Sequence, residues 1–386
     1  MANHLAAVSS AKGQRFEVKS RPTPTPGPDE ILIAVKSVAL NPADIHMRDH
    51  GLFILNYPTV TGFDMSGLVL EIGSNVPSGS AEEPYFRPSV TRVAAYAASF
   101  WKFCNPDYGA FQERCLVPWQ HAVPIPDEMS WNEAATLPVS VEVPLNAWDV
   151  MKIPRTEGAT VRGSNLPALI EPGNTGVTSG QIQEKTEALL VWGASSSVGS
   201  MGVQSARLLR ENPQYSFSAV YATASSANKN YVTSLGADRV FDYKDPKIVD
   251  VIVSMAKEDG LVIRYCFLAT GSLEPCQAVL KNFLGEISGA EEVKMAKIAS
   301  APVVPWDAEV VDGIDTIFVV PPSMEGERLE HFEYVGKWIR MNLSKRSIRP
   351  SPKPRVVGKG LGCINDGLDM LRVGVSCAKL VVQVGE

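Results

Sequence analysis

The 386-residue chain has no block of basic residues, no paired-cysteine motif and no long hydrophobic run. Its formal net charge is -6, so it lacks the basic surface expected of a nucleic-acid-binding protein. Its six cysteines are scattered without a CxxC pair, which indicates reduced thiols rather than a disulfide framework. We expect a protein that acts on small molecules and binds no nucleic acid.

Membrane-spanning and exported proteins are also disfavoured by what is missing. No apolar run approaches the roughly 20 residues of a membrane helix, and the N-terminal residues lack the apolar core of a signal peptide. We therefore expect a cytoplasmic protein with no membrane partner. The composition is 45% hydrophobic and 20% charged, which is ordinary for a globular chain of about two domains.

The pattern of apolar residues changes along the chain. Short β-rich runs at Ile31–Val38 and Ser66–Ile72, separated by Pro and Gly turns, predict a barrel in the first part. From Ala188 onward, buried strands alternate with helical periodicity, which predicts βαβ units and a parallel sheet. The predicted domains are 1–145 with 326–386 and 146–325, with a flexible insertion at about 154–187 rich in Gly, Pro, Ser and Thr.

A dinucleotide site is predicted where the strand Ala188–Trp192 runs into the segment Gly193–Gly199 and then into a helix. Small residues allow a pyrophosphate to approach the backbone, and the helix N-terminus offers free N–H groups. The loop is not a strict GxGxxG, because Ser195, Ser196 and Ser197 occupy its middle. The alternative is a tight turn that binds no ligand.

The residues after the next strand favour NADPH over NADH. No Asp or Glu occurs between Glu211 and Asp238, where an NAD-binding sheet places a carboxylate on the ribose hydroxyls. Ser225, Ser226 and Lys229 can instead bind the 2′-phosphate, which a carboxylate would repel.

Several motifs together resemble one superfamily over nearly the whole chain. They are NPADI (41–45), TGFDMSGLVLEIGSNV (61–76), YGAFQE (108–113), EAATLPVS (133–140), LLVWGASSSVGS (189–200), LGADRVFDY (235–243) and the terminal KLVVQV. The resemblance is to the medium-chain dehydrogenase/reductases, in the zinc-free fungal ToxD-like branch that includes enoyl reductases serving polyketide synthases in trans. It implies an α/β protein with a GroES-like β-barrel substrate domain and a Rossmann-type doubly wound parallel sheet domain.

The resemblance also implies which residues line the NADPH. They are Pro42, Ala43, Asp44, Ile45, Gly193, Ser195, Ser196, Ser197, Val198, Gly199, Ser225, Ser226, Lys229 and Tyr243. Tyr243 would lie near the adenosine-phosphate end, the alternative being a ring that packs the edge of the sheet.

No metal is expected. Zinc relatives carry a cysteine where this chain has Asn41, and a Gly-His-Glu triplet where it has Gly62-Phe63-Asp64. Phenylalanine cannot ligate zinc, which needs three or four N, S or O donors. The four-cysteine structural lobe is absent as well, since only Cys104 falls between Phe86 and Tyr108.

Without a Lewis acid, the chemistry expected of such a fold is hydride addition to an activated acceptor, a C=C conjugated to a carbonyl or a quinone. His46 stands where polyketide-serving relatives have a lysine; it is a candidate proton donor or phosphate ligand, or a structural residue at the edge of the cleft. Val143-Pro144 replace a Thr-Ala pair that relatives place near the nicotinamide. Ser140 or Glu142 are candidates to supply the lost hydrogen bond.

Three functional hypotheses follow. The first is an NADPH-dependent enoyl or enone reductase of fungal polyketide or other secondary metabolism, acting on a small-molecule substrate that is free or carried by a polyketide synthase. The second is a quinone or carbonyl oxidoreductase on a tailoring intermediate. The third is a non-catalytic NADPH-binding partner of a synthase. A monomer and a homodimer are both compatible with the sequence.

Overall fold

The computed structural model describes residues 2–79, 84–155, 186–285 and 295–385. The chain divides into a first unit, Met1–Val139 with Ser323–Glu386, and a second unit, Ser140–Pro322. The sequence placed the two boundaries slightly later, after residues 145 and 325. The insertion predicted at about 154–187 lies almost entirely outside the described residues.

The elements are numbered in chain order. The N-terminal part of the first unit contains β1 (Asn3–Ser9), β2 (Glu17–Pro22), β3 (Glu30–Ala39), α1 (Pro42–His50), β4 (Thr59–Val60), β5 (Asp64–Ile72), β6 (Arg92–Tyr96), β7 (Arg114–Pro118), β8 (Ala122–Pro124) and α2 (Trp131–Ala135), after which α3 (Pro138–Val150) leads into the second unit. The second unit contains β9 (Glu187–Trp192), α4 (Ser197–Glu211), β10 (Phe217–Ala224), α5 (Lys229–Ser234), β11 (Arg239–Asp242), α6 (Ile248–Glu258), β12 (Val262–Leu268), α7 (Glu274–Lys281), β13 (Ala296–Ser300) and β14 (Ile314–Phe318). The first unit is completed by α8 (Glu325–Ser344), β15 (Pro354–Lys359), α9 (Ile364–Val373) and β16 (Lys379–Gln383).

The first unit is built on two sheets. A three-stranded sheet has the order β2-β1-β4, and a seven-stranded sheet has the order β15-β16-β3-β5-β6-β8 with β7 also paired to β3. The C-terminal strand β16 lies antiparallel to β3, with Val382 opposite Val38. The prediction that the tail returns to the first domain is therefore confirmed. The core between these elements includes Ile33, Met65 and Phe111.

The second unit is a six-stranded parallel sheet in the order β11-β10-β9-β12-β13-β14. This is the doubly wound order of dinucleotide-binding domains, in which the first and fourth strands of the unit lie side by side. All six residues of β9 are buried, as expected for a central strand covered on both faces. The predicted Rossmann-type domain is confirmed.

Helix α4 follows β9 after a short loop and begins at Ser197, within the segment Gly193–Gly199 that the sequence predicted to lead into a helix. Ser196 is its N-cap, and the Ser196 Oγ accepts the N–H of Gly199 at 3.1 Å. Most of its residues are buried, among them Met201, Val203 and Leu209. Within the described ranges, no helix is both long enough and apolar enough to cross a membrane.

Candidate active site

The loop after β9 is held against the end of β10. The N–H of Gly193 donates to Thr223 Oγ1 at 2.9 Å, and the N–H of Ala194 donates to the Thr223 carbonyl at 2.8 Å. Gly193 has a φ of 79°, and a Cβ there would lie 2.5 Å from Thr270 Cγ2. Only glycine fits that position. The carboxyl ends of two neighbouring strands are thereby joined by hydrogen bonds.

The glycine loop packs closely against the start of α4. A Cβ on Gly199 would lie 2.3 Å from the Gly193 carbonyl oxygen, so the chain is at its closest approach there. Ser195, Ser196, Ser197 and Val198 are half-buried. Ser197 and Val198 are the first residues of the 15-residue helix α4, whose first N–H groups have no intrahelical acceptor. Such an N-terminus suits a phosphate.

The segment after β10 meets the end of β11. The backbone N–H of Ser226 donates to Asp242 Oδ2 at 3.1 Å, and the Ser226 hydroxyl donates to the same oxygen. Hydrogen bonding from Ser226 is the main cause that lowers the pKa of Asp242. Lys229 and Tyr243 are both exposed, Lys229 at the start of α5 and Tyr243 just after β11.

Helix α1 carries the NPADI motif in its first turn. Asn41 precedes the helix, Pro42 takes its first position, and the Asn41 N–H donates to Asp44 Oδ2 at 2.7 Å. Pro42 is exposed, and Ala43 and Ile45 are half-buried. Asp44 is fully buried, so the structure uses its carboxylate to hold the chain that enters the helix.

His46 and Ser140 occupy different environments. His46 is exposed on α1, and its ring stacks on that of His50 one turn later, with the centroids 5.8 Å apart. Ser140 is fully buried, and its Oγ has no hydrogen-bond partner among the described residues. Pro144 lies inside α3 and has no N–H, so the carbonyl of Ser140 loses its helical donor. The buried Glu142 accepts the Asn146 amide at 3.2 Å.

Phe63, at the centre of the Gly-Phe-Asp triplet, belongs to an aromatic cluster of the first unit. Its ring lies 5.7 Å from that of Tyr96 and 6.1 Å from that of Phe100. Phe53 stacks on Phe100 at 5.1 Å and is 37% exposed. Phe63 is thus a packing residue between β4 and β5.

Comparison with known proteins assigns the family. Residues 27–127 match the alcohol dehydrogenase GroES-like domain. The chain is 37% identical to the trans-enoyl reductase tndF of Aspergillus flavipes over 98% of both chains. It is 38% identical to the trans-enoyl reductase tazE of Aspergillus terreus, over 84% of this chain and 94% of the relative.

The chain belongs to the medium-chain dehydrogenase/reductase superfamily. It is an oxidoreductase-family protein similar to fungal enoyl reductases, and the predicted GroES-like domain is confirmed. The fold agrees with the solved structure of an alcohol dehydrogenase superfamily protein from Novosphingobium aromaticivorans, with a TM-score of 0.72 at 17% identity over 99% of this chain and 100% of that chain. Superfamily members generally bind a nicotinamide cofactor.

Three residues of this superfamily member were missed by the sequence reasoning. Thr223 anchors the glycine loop, Asp242 binds Ser226, and Lys379 forms a buried ion pair with Asp64 at 3.0 Å. Asp242 closes the LGADRVFD run, four residues after Asp238, and its partner Ser226 is 16 positions away in the sequence. Lys379 carried no local signal, because its partners are remote in sequence.

Apart from Ser140 on α3, the predicted site residues fall into two groups. The glycine loop, Ser225, Ser226, Lys229 and Tyr243 all follow β9, β10 and β11 at the carboxyl edge of the second unit's sheet. Pro42–Ile45 and His46 lie together on α1 of the first unit. Within residues 2–79, 84–155, 186–285 and 295–385, no three His, Cys, Asp or Glu side chains form a group able to hold a metal ion.

Proposed function

We propose that this protein uses NADPH to reduce the C=C bond of an α,β-unsaturated carbonyl compound in fungal polyketide or other secondary-metabolite biosynthesis. The observation that carries the proposal is its similarity to two trans-enoyl reductases, one of them over 98% of both chains. The parallel sheet and its glycine loop supply a cofactor site suited to that chemistry.

The second unit fits a dinucleotide. Gly193 and Gly199 bring the backbone close to the N-terminus of α4, where the N–H groups of Ser197 and Val198 can bind a pyrophosphate. Bound NADPH supplies the hydride that adds to the activated double bond. Pro42, Ala43 and Ile45 are proposed to line the cofactor from α1.

Selectivity for NADPH is assigned to Ser225, Ser226 and Lys229. Lys229 is exposed and can pair with a 2′-phosphate, and the Ser225 hydroxyl is available beside it. Asp242 has the opposite influence, because its carboxylate already accepts the hydrogen bond that the Ser226 hydroxyl donates. The preference for NADPH therefore depends mainly on Lys229.

His46 and Ser140 are the candidate groups for the proton transfer and for a hydrogen bond to the substrate or the cofactor. His46 is exposed on α1, and an imidazole there is proposed to donate the proton to the reduced carbon. The buried hydroxyl of Ser140, at the start of the second unit, is proposed to hydrogen-bond the cofactor amide or the substrate carbonyl.

Zinc independence is proposed on the chemistry of the donors. Phe63 offers no lone pair. Asn41 Oδ1 and Asp64 Oδ2 both accept from the ammonium of Lys379, at 2.5 Å and 3.0 Å. An ammonium that donates to both oxygens disfavours a second cation beside them.

The cofactor test is a fluorescence titration of the wild type with NADPH and NADH. We expect NADPH to bind more tightly, and Lys229→Ala to weaken NADPH binding about tenfold, equivalent to the loss of one charge-assisted contact, while NADH binding is unchanged. Lys247→Ala, at an exposed lysine near α6, is the matched control. If Lys229→Ala weakens the binding of NADPH and NADH equally, Lys229 does not bind the 2′-phosphate.

The reaction test follows NADPH oxidation with α,β-unsaturated thioesters, simple enones and quinones. Turnover of enones or enoyl thioesters supports the proposal. A clear preference for quinones would instead identify a quinone oxidoreductase. Tight NADPH binding without turnover on the whole panel would indicate a non-catalytic partner of a synthase. Comparing a free thioester with the same acyl group on a carrier protein tests the synthase partnership.

A further inference from the structure

Lys379, the first residue of β16, is buried inside the first unit. Its side chain is 3% exposed, although lysines are almost never buried without a partner. The ammonium donates to Asn41 Oδ1 at 2.5 Å and pairs with Asp64 Oδ2 at 3.0 Å. We call Asn41, Asp64 and Lys379 the Lys379 cluster.

Asp64, the first residue of β5, is the centre of this cluster. Its Oδ2 accepts from Asn41 Nδ2 at 3.1 Å in addition to Lys379, and its Oδ1 accepts from the backbone N–H of Val139 at 2.8 Å. Its side chain is fully buried. One carboxylate therefore fixes the residue that caps α1, the first turn of α3 and the terminal strand.

The cluster is electrically balanced by Lys379. A buried carboxylate needs a partner charge and hydrogen bonds to remain ionised. Asp44, in the first turn of α1, is a second buried carboxyl group, and its Oδ2 accepts from the Asn41 N–H. Without the ammonium, Asn41 would join two buried carboxyl groups with no cation between them, and the start of α1 would have to rearrange.

We propose that Lys379 is a positioning residue for the reductase reaction: through Asn41 and Asp64 its ammonium holds the first turn of α1, which carries Pro42–Ile45. This inference rests on the proposed function, since that turn is the part of the first unit assigned to the cofactor. Lys379 does not touch substrate or cofactor itself.

The test compares Lys379→Met with the charge-neutral double variant Lys379→Met/Asp64→Asn in the full chain. Lys359→Met, at an exposed lysine on the neighbouring strand β15, is the matched control. The measurements are the binding stoichiometry and dissociation constant of NADPH, kcat on an enone, the melting temperature, and hydrogen–deuterium exchange of residues 41–50.

The double variant should remain folded and bind one NADPH per chain, with a dissociation constant within about threefold of wild type, because the phosphate contacts lie in the second unit. Its kcat should fall at least about tenfold, since small misplacements around a reacting centre have large effects on rate. Exchange in residues 41–50 should be faster than in the wild type and in Lys359→Met. A loss of stability alone would reduce binding stoichiometry and kcat together.

The inference is overturned if the folded double variant keeps kcat within about twofold of wild type, or if exchange in residues 41–50 is unchanged. It is also overturned if the double variant does not fold, because the cluster would then serve the fold and not the position of one turn. If the wild type shows no turnover, the proposed function fails, while the exchange experiment still decides whether Lys379 holds α1.

Discussion

Replacing Asp44 with asparagine should change how the stability of the protein depends on pH. Asp44 is fully buried in the first turn of α1, and its Oδ1 has no hydrogen-bond partner among the described residues. The pKa of Asp44 is raised to about 7, mainly because the carboxyl group is buried, and the nearby charge of Asp64 raises it further. The hydrogen bond from the Asn41 N–H and the charge of Lys379 act in the opposite direction and lower this pKa.

The sign follows from proton linkage. Asp44 releases its proton near its ordinary pKa of 3.8 in the unfolded chain and near 7 in the folded protein. The folded state binds more protons between these values, so Asp44 favours folding most below pH 3.8, and this contribution is lost as pH rises towards 7. Linkage gives a loss of about 2.5 kcal/mol between about pH 5 and about pH 8.

Asparagine keeps an acceptor for the Asn41 N–H but cannot ionise. Relative to the wild type, Asp44→Asn should therefore gain about 2.5 kcal/mol on going from about pH 5 to about pH 8. In a unit of this size that corresponds to a relative change in melting temperature of roughly 5 to 10 °C. Any constant effect of the amide cancels in this comparison.

The assay is thermal unfolding of wild type, Asp44→Asn and Asp127→Asn at both pH values. Asp127 is exposed in the same unit and serves as the control for loss of one carboxylate. If the difference in melting temperature between Asp44→Asn and wild type is the same at both pH values, Asp44 does not hold a proton in the folded state and the reasoning is wrong.

Three further substitutions test other parts of the molecule. Burial lowers the pKa of His121 to about 3, so below its ordinary pKa of 6.5 the unfolded chain binds a proton that the folded protein excludes. In thermal melts, His121→Phe should therefore gain about 2 kcal/mol of stability relative to the wild type on going from about pH 7 to about pH 5. A difference between the two proteins that does not change with pH would contradict this. Gly193 has a φ of 79°, and a Cβ there would lie 2.5 Å from Thr270 Cγ2. Gly193→Ala should therefore reduce stability by about 1 to 3 kcal/mol in urea unfolding and abolish NADPH binding. Unchanged NADPH binding would argue against the loop as a phosphate site. Ser140→Ala should leave the melting temperature almost unchanged, since its hydroxyl has no partner among the described residues, but lower kcat about tenfold; unchanged kcat would exclude Ser140 from catalysis.

The elements that sequence predicted well are those specified by local periodicity. The run Ala188–Trp192 is apolar throughout and became the central strand β9, and Ser196 at the head of a small-residue run became the N-cap of α4. The residues proposed for the cofactor in the second unit could be grouped in advance because the carboxyl ends of parallel strands lie at one edge of a sheet.

The parts that sequence could not supply depend on contacts between distant segments. Lys379 and Asn41 are 338 positions apart, and nothing in the terminal strand's pattern distinguishes a buried lysine from an exposed one at its start. The burial of Asp44 could not be predicted from the sequence either, because an acidic residue in the first turn of a helix is ordinarily explained by the helix dipole. The contact between Asp242 and Ser226 depends on the pairing of β11 with β10, which the sequence alone does not specify.

Asp44 and His121 have opposite effects on how the stability of the first unit depends on pH. Between about pH 4 and 6.5 folding takes up a proton at Asp44 and releases one from His121, so the two slopes of stability against pH are equal and opposite. The contributions of these two groups to stability should then nearly cancel in that window. Relative to the wild type, Asp44→Asn should shift the slope of stability against pH upward, His121→Phe should shift it downward, and the double variant should keep the wild-type slope. If neither pKa is shifted in the folded protein, all four profiles should be parallel, so the single variants distinguish compensation from the absence of any shift.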